Sequence, residues 1–271
     1  MEMPRSAHRL VGLAVAALMA VAAAGCATPP DPSDPEAYAE FKALNDPLEP
    51  LNRTVFGFNQ AIDAMFLRPF ADFYRLLLPA PFREGVHNVL ANLRSPVILA
   101  NDLLQGEVDR AGTTTGRFLI NSTLGVGGLC DWATDFGLPR HNEDFGQTLA
   151  VWGSPEGPFL MLPVIGPSNP RDAVGLAVDS FILDPFGLMS TLDMAPEWMV
   201  TMQYVRYGAT LVDERSQNVE ELDDLQKSSL DFYAALRSLY RQYRTSEIWQ
   251  GHPPASTEGP RFDDFPSLPA D

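Results

Sequence analysis

The chain has 271 residues, of which 45% are hydrophobic and 20% are charged, which is the composition of a globular protein. Its formal net charge is -16 and its pI is about 4.5. This acidity argues against nucleic-acid binding, because nucleic-acid phosphates require a basic surface. It also argues against electrostatic adsorption to anionic lipid, so any membrane contact must come from acyl chains or apolar side chains.

The N-terminus has the pattern of a secretory signal. Arg5 and Arg9 precede an apolar run at residues 10–24, which is too short to cross a bilayer as a helix. The small residues before Cys26 resemble a bacterial lipobox, in which the cysteine is acylated before the preceding bond is cut. We therefore predict a lipoprotein signal peptide at 1–25 and two or three acyl chains on Cys26, enough for stable membrane anchoring. The alternative is an ordinary signal peptide that contains a cysteine.

Composition divides the mature chain into three parts. Residues 26–35 are rich in proline and aspartate and predict an extended tether. Residues 36–250 predict one domain. Residues 251–271 are rich in proline and acidic residues and predict a disordered tail.

The apolar spacing predicts a domain made mainly of α-helices. In chain order, we predict a helix broken near Pro69 (54–78), two helices with a kink or break between them at Pro96 (85–106), and helices at 107–124 and 172–183. Glycine and proline between 137 and 172 indicate loops and a small strand pair. The apolar residues of 209–243 recur at threes and fours and predict one long helix.

The residues of the common enzyme sites are missing from this sequence. The two lysines lie far from any glycine cluster, which argues against a nucleotide phosphate loop. No Gly-x-Ser-x-Gly motif is present, which disfavours a lipid-cleaving hydrolase. We interpret His141 as part of a solvated turn rather than a metal ligand, and Cys130 as a small buried residue rather than a reactive thiol. We therefore predict no catalytic residue, no cofactor and no metal.

The segment 54–78 is crowded with aromatic residues interleaved with polar ones. For any single phenylalanine, a place in an ordinary core is the simpler interpretation. Together with an acyl anchor, the same pattern also fits amphipathic helices that lie in a membrane interface.

Several segments, in this order and spacing, resemble the MlaA (VacJ) lipoproteins of the Gram-negative outer membrane. The residues that carry the resemblance are Asp46–Glu49, Asn52-Arg53, Phe58-Asn59, Arg68-Pro69, Arg117–Gly125, Gly127-Gly128, Asp131, Phe145–Leu149, Gly157-Pro158, Leu162-Pro163 and Arg171-Asp172. The resemblance implies a mainly α, ring-like assembly of amphipathic helices with a small irregular or hairpin region, held by its acylated N-terminal tether in the inner leaflet of the outer membrane.

The resemblance also implies a function and partners. Members of the family remove mislocalised phospholipids from the outer leaflet through an amphipathic channel. They pass these lipids to a soluble periplasmic phospholipid carrier, often beside trimeric outer-membrane porins, and so maintain lipid asymmetry. The alternative is a non-catalytic scaffolding lipoprotein that organises porins and other envelope partners.

Site residues follow from the matched positions. Gly125, Gly127, Gly128, Leu129 and Asp131 match a loop beside the channel, which we predict acts as a gate. From the residues alone, a helix C-cap followed by a turn fits this loop nearly as well.

Two further pairs of positions are matched. Phe58 and Asn59 match a segment near the membrane-facing ring. Arg53 and Arg117 are candidates for contact with the lipid phosphate, although ion pairs with carboxylates are the favoured alternative.

Overall fold

A computed structural model describes residues 44–250 of the chain. The predicted signal peptide, Cys26, the tether and the acidic tail lie outside the described residues, as does the predicted start of the domain at residue 36. In the first half, the elements are α1 (Glu49–Ile62), a π-helical turn (Asp63–Leu67), α2 (Arg68–Leu77), α3 (Ala80–Gln105), α4 (Val108–Thr123), α5 (Trp132–Asp135) and α6 (Phe145–Val151).

The second half contains a hairpin and six more helical segments. Strands β1 (Leu160–Leu162) and β2 (Gly166–Ser168) pair antiparallel, with Met161 opposite Pro167. The following elements are α7 (Pro170–Val178), a π-helical turn (Asp179–Leu183), α8 (Pro185–Thr191), α9 (Glu197–Gln217), α10 (Val219–Ser228) and α11 (Phe232–Ile248). The predicted mainly α fold with a small hairpin is confirmed.

Of the kink or break predicted at Pro96, the break is wrong, because α3 continues through this proline. A proline removes one backbone hydrogen bond and destabilises a helix, but neighbouring elements can hold the helix on both sides of it. Asn92 Nδ2 donates to Ser122 Oγ at 2.9 Å, and Asn101 Nδ2 donates to Asp179 Oδ1 at 3.0 Å. These tertiary contacts hold α3 on both sides of Pro96.

The predicted single helix over 209–243 is also wrong, since three helices share this region. Asn218 ends α9 and its Nδ2 donates to the Glu214 carbonyl at 2.8 Å. Asp231 begins α11, where its Oδ1 accepts a hydrogen bond from the Ala234 N–H. Short polar side chains that bond to nearby backbone groups favour helix ends over helix interiors, and this effect outweighs the apolar periodicity.

Helix α6 lies where the sequence indicated only loops and strands. Asp144 caps its N-terminus, because its Oδ1 accepts a hydrogen bond from the Gln147 N–H at 2.9 Å. This cap overrides the glycine and proline content of the surrounding segment.

The polarity of this fold is inverted relative to an ordinary globular protein. Among residues 44–250, the main buried apolar cluster is small and consists of Phe159, Met161 and Tyr233 beside the hairpin. Buried polar and charged side chains far outnumber buried apolar ones, while large apolar side chains are exposed over much of the surface. Such an exterior indicates contact with lipid or with partner proteins.

No single helix of the described residues is long and apolar enough to cross a bilayer. Segments Pro170–Leu183 and Pro185–Thr191 pass that test only as a pair, and they are bent by 79° relative to each other.

A buried ionic cluster joins α6, α7 and α11. Arg244 Nη1 and Nη2 donate to the two carboxylate oxygens of Asp144 at 2.6 and 2.7 Å, and Arg244 Nε donates to Asp172 Oδ2 at 2.7 Å. The cluster requires a close crossing of α6 and α7, where a Cβ on Gly175 would lie 2.3 Å from the Gly146 nitrogen. The glycine pair therefore brings the two aspartates within reach of one guanidinium.

We expect acid to weaken this cluster. Burial opposes ionisation of Asp144, but hydrogen bonds from Arg244 outweigh burial and lower the pKa of Asp144 to about 2. The same causes lower the pKa of Asp172. A free aspartate has a pKa of about 3.9, so this stabilisation is complete above that value and is lost as the pH falls from about 4 to about 2.

Denaturant unfolding in detergent at a series of pH values measures the effect. The free energy of unfolding should fall across this acidic range. An unchanged value between neutral pH and the lower end of the range would contradict the assignment.

Candidate functional site

A cavity of about 740 Å³ lies between the helices. This volume falls within the range typical of small-molecule pockets. Its walls come from α3, α4, the second π-helical turn and α9, with Tyr243 of α11 closing one side. The lining mixes apolar side chains, among them Leu90, Ile98 and Leu176, with polar and charged ones. A lining of this kind suits an amphipathic ligand.

The polar walls arise from helical spacing. In α3, Asn88, Asn92 and Ser95 recur at intervals of four and three and line the cavity. Thr114, Arg117 and Asn121 do the same in α4. Residues three and four apart share one face of a helix, so each helix carries a polar stripe toward the cavity. The apolar spacing of these helices predicts their positions in the chain but not this polar stripe.

Most charged groups of the lining are held in pairs. Arg206 pairs with Asp184, and His87 Nδ1 lies 2.9 Å from Asp213 Oδ2. His141 Nε2 lies 3.1 Å from Asp102 Oδ1. His141 is therefore a half-buried member of a polar network, and its interpretation as part of a solvated turn is wrong. Within the part of the chain that the structure describes, no group of histidine, cysteine and acidic residues has the arrangement of a metal site.

The glycine loop at 125–131 follows α4 and lies beside the cavity. Asn88 and Asn92, which line the cavity, also contact this loop: Asn88 Nδ2 donates to the Leu129 carbonyl at 3.4 Å. Gly128 has φ of +97°, and a Cβ there would lie 2.8 Å from the Asn92 Cβ. A larger residue at 128 would therefore strain the backbone and push the loop away from α3.

Asp131 fastens the end of the loop. Its carboxylate accepts hydrogen bonds from Arg117 at 2.8 and 2.7 Å, Asn121 at 2.8 Å, Thr134 at 2.8 Å and Arg140 at 2.9 Å. Burial opposes ionisation, but these hydrogen bonds outweigh it and hold the pKa of Asp131 well below its ordinary value. The loop is thus tied to the cavity wall by a charged cluster that stays ionised at neutral pH.

The side chains of the loop are largely exposed. Val126 and Leu129 present apolar groups at the surface, and Cys130 is also exposed. The prediction that Cys130 is buried is therefore wrong, because the turn after α4 projects this residue outward instead of into a core.

The other predicted site residues lie away from the cavity. Phe58 is exposed on α1, and Asn59 Nδ2 donates to the Leu162 carbonyl at 2.9 Å, which ties α1 to the hairpin. Arg53 Nε lies 2.7 Å from Glu49 Oε1, and its Nη2 lies 2.5 Å from Asp231 Oδ2. Arg53 and Arg117 are both ion-paired, which was the favoured alternative, but of the two only Arg117 belongs to the cavity lining.

Comparison with known proteins gives consistent matches over this whole region. The family model described as MlaA lipoprotein matches residues 44–247. The intermembrane phospholipid transport system lipoprotein MlaA of Haemophilus influenzae is 32% identical, and the match covers 84% of this chain and 86% of that protein. The protein of the same name from Escherichia coli is 33% identical over 73% of this chain and 76% of its own length.

An uncharacterized protein of Rickettsia bellii is 34% identical over 76% of this chain and 78% of its own length. A solved structure from work on the structural basis for maintenance of bacterial outer membrane lipid asymmetry matches with a TM-score of 0.61 and 34% identity. That match covers 73% of this chain and 96% of the solved one.

Proposed function

Because this chain belongs to the MlaA lipoprotein family, we propose that it removes mislocalised phospholipids from the outer leaflet of the outer membrane. The lipids pass through the cavity to a periplasmic phospholipid carrier, and the protein thereby maintains lipid asymmetry. The proposal involves no bond cleavage, and the relatives are named as transport-system lipoproteins.

The main support for this proposal is the inverted polarity of the fold, with polar side chains inside and apolar side chains on the surface. A phospholipid has a charged head group and two apolar tails, and it can leave a bilayer only along a path that solvates both. The cavity lining offers ion pairs and amides beside Leu90, Ile98 and Leu176. A lipoprotein that only organises partner proteins has no need for a polar interior of this size.

The exterior fits the inner leaflet of the outer membrane. Phe66, Phe70, Phe73 and Leu77 recur at intervals of four, three and four, and each is at least half exposed. They form one apolar face that extends from the first π-helical turn along α2, as in helices that lie in a membrane interface. The exposed Phe58 extends the membrane-facing ring to α1. Acyl chains on Cys26 would hold this face against the lipid.

The glycine loop is proposed as the gate. It borders the cavity through Asn88 and Asn92, it exposes apolar Val126 and Leu129 to the surroundings, and Asp131 ties its end to Arg117. In this arrangement Arg117 has a second role as a head-group contact, because it lines the cavity while it holds the loop.

Trimeric outer-membrane porins and the periplasmic carrier are the protein partners of this proposal. The exposed apolar surface also favours a second candidate function, a scaffolding lipoprotein that organises porins without moving lipid. Lipid removal requires an open cavity and a mobile glycine loop, whereas a scaffold requires neither.

The proposal is tested in cells that lack this protein, complemented with the wild type or with Cys26→Ala. We expect phospholipid to accumulate in the outer leaflet without the protein, and only the acylatable form to reverse the accumulation. Measurement of surface-accessible phospholipid reports the result. Unchanged lipid asymmetry in the deletion strain would refute lipid removal and leave the scaffold as the better candidate.

A further inference from the structure

Two charged side chains of the cavity lining stand apart from the rest. Among the described residues 44–250, each of the other arginine, histidine and acidic side chains that line the cavity has a hydrogen bond or an ion pair. Arg94 of α3 and Glu214 of α9 line the same cavity and have neither within that part of the chain. Both side chains are exposed to its interior.

The two groups face the same cavity without forming an ion pair among the described residues. Burial raises the pKa of Glu214, and the charge of Arg94 lowers it in part, as does that of His87, while Asp213 raises it. The Arg94 guanidinium therefore acts on the Glu214 carboxylate across the cavity, but the distance between them is longer than that of an ion pair. An ionised carboxylate removed from bulk water needs a cation, and an unpaired guanidinium needs an anion.

We propose that Arg94 and Glu214 form a binding site for a phosphoethanolamine head group, in which Arg94 binds the phosphate and Glu214 binds the ammonium. The inference rests on the proposed function, because it assigns the head group of the lipid that the cavity carries. Guanidinium binds phosphate oxygens through two parallel N–H donors. A primary ammonium offers three N–H donors to a carboxylate.

Other common head groups fit this pair less well. A glycerol head group brings a phosphate for Arg94 but no cation, so it would leave Glu214 without a partner. A choline group is cationic but lacks N–H donors, and proteins recognise it mainly through aromatic faces. Glu214 therefore distinguishes head groups by their charge and N–H donors, whereas Arg94 binds the phosphate that all these lipids share.

The test uses the full-length acylated protein in detergent, equilibrated with an equal mixture of phosphatidylethanolamine and phosphatidylglycerol with identical tails. The retained lipids are extracted and quantified by mass spectrometry. We expect the wild type to retain phosphatidylethanolamine in about tenfold excess, which corresponds to about 1.4 kcal/mol and is close to the contribution of one charged hydrogen bond. Glu214→Gln should bring the ratio close to one while lipid still binds.

Arg94→Gln should lower the retention of both lipids. Glu197→Gln lies on the same helix outside the cavity, and Lys227→Gln removes an exposed positive charge on α10, so both controls should keep the wild-type ratio. A wild type that retains both lipids equally, or a Glu214→Gln variant that keeps the wild-type ratio, overturns the head-group assignment and leaves the proposed function standing. A wild type that retains no lipid overturns both.

A competition experiment tests whether the ligand is the whole lipid or its free head group. Glycerophosphoethanolamine should displace phosphatidylethanolamine more readily than glycerophosphoglycerol does, and only at concentrations far above those of the lipid. Equal displacement by the two esters contradicts the assignment. Displacement by glycerophosphoethanolamine at lipid-like concentrations would make the free head group, and not the lipid, the ligand.

Discussion

Substitution of Arg244 by glutamine is expected to lower the free energy of unfolding by about 3–5 kcal/mol, the usual cost of removing one partner from a buried ion pair. The side chain of Arg244 is 8% exposed and bonds to both Asp144 and Asp172. Its removal leaves the buried Asp144 carboxylate without its cation and leaves Asp172 with Arg171 alone. For a domain of this size the loss corresponds to a melting temperature lower by roughly 6–20 °C.

The pH dependence gives this prediction a second readout. Without Arg244, burial is the largest remaining influence on both aspartates and raises their pKa. It acts against smaller lowering contributions from the Gln147 N–H at Asp144 and from Tyr240 and Arg171 at Asp172, so protonation favours the folded state. The Arg244→Gln variant should therefore become more stable in mild acid, while the wild type does not. Arg75→Gln breaks an ion pair with exposed Glu220 and serves as the control, with little change in melting temperature. A melting temperature equal to that of the wild type for Arg244→Gln would show that the cluster does not stabilise the fold.

A covalent bridge between the glycine loop and α3 is expected to stop phospholipid transport. Cys130 is exposed in the loop, and Asn88 of α3 donates to the carbonyl of the adjacent Leu129. In an Asn88→Cys variant, a short bis-maleimide can join position 88 to Cys130 and hold the loop against the cavity wall. If the loop is the gate, transfer of a fluorescent phospholipid from proteoliposomes to acceptor vesicles should fall to the rate of protein-free vesicles.

The matched control is Asn88→Cys combined with Cys130→Ser. It carries the same change in the cavity but cannot be bridged, so the reagent should leave its transfer rate unchanged. A bridged protein that still transports lipid at the unbridged rate would exclude the loop as a gate. A bridged protein that cannot transport lipid but still restores the wild-type envelope would favour the scaffold function.

Sequence patterns located the helices better than their ends. The apolar spacing of 107–124 predicted α4 to within a residue or two, because the left-handed Gly106 ends the preceding helix and a glycine-rich turn follows α4. The pattern over 209–243 predicted one helix where there are three. The helices end and begin at the capping bonds of Asn218 and Asp231, and the apolar spacing continues across both positions. The break considered at Pro96 is the opposite kind of error, because the contacts that hold α3 on both sides of this proline come from elements distant in the sequence.

The candidate site was predictable only in part. The glycine loop was found through the resemblance to a family, whose motif includes Gly125–Gly128. Arg94 and Glu214 could not be found in this way, because each is an ordinary charged residue of an amphipathic helix. Their significance appears only because the fold places α3 and α9 on one cavity and leaves both charges without partners among residues 44–250.

The polar interior also governs how stability depends on temperature. Newly exposed apolar surface raises the heat capacity of an unfolding protein, whereas newly exposed polar surface lowers it. In residues 44–250 the buried side chains are mostly polar, and many large apolar ones are exposed before unfolding begins. The heat-capacity increment per residue should therefore lie below the roughly 12–15 cal/mol/K of ordinary globular proteins. The stability curve of this protein is accordingly flat, with similar resistance to unfolding in the cold and in the warm.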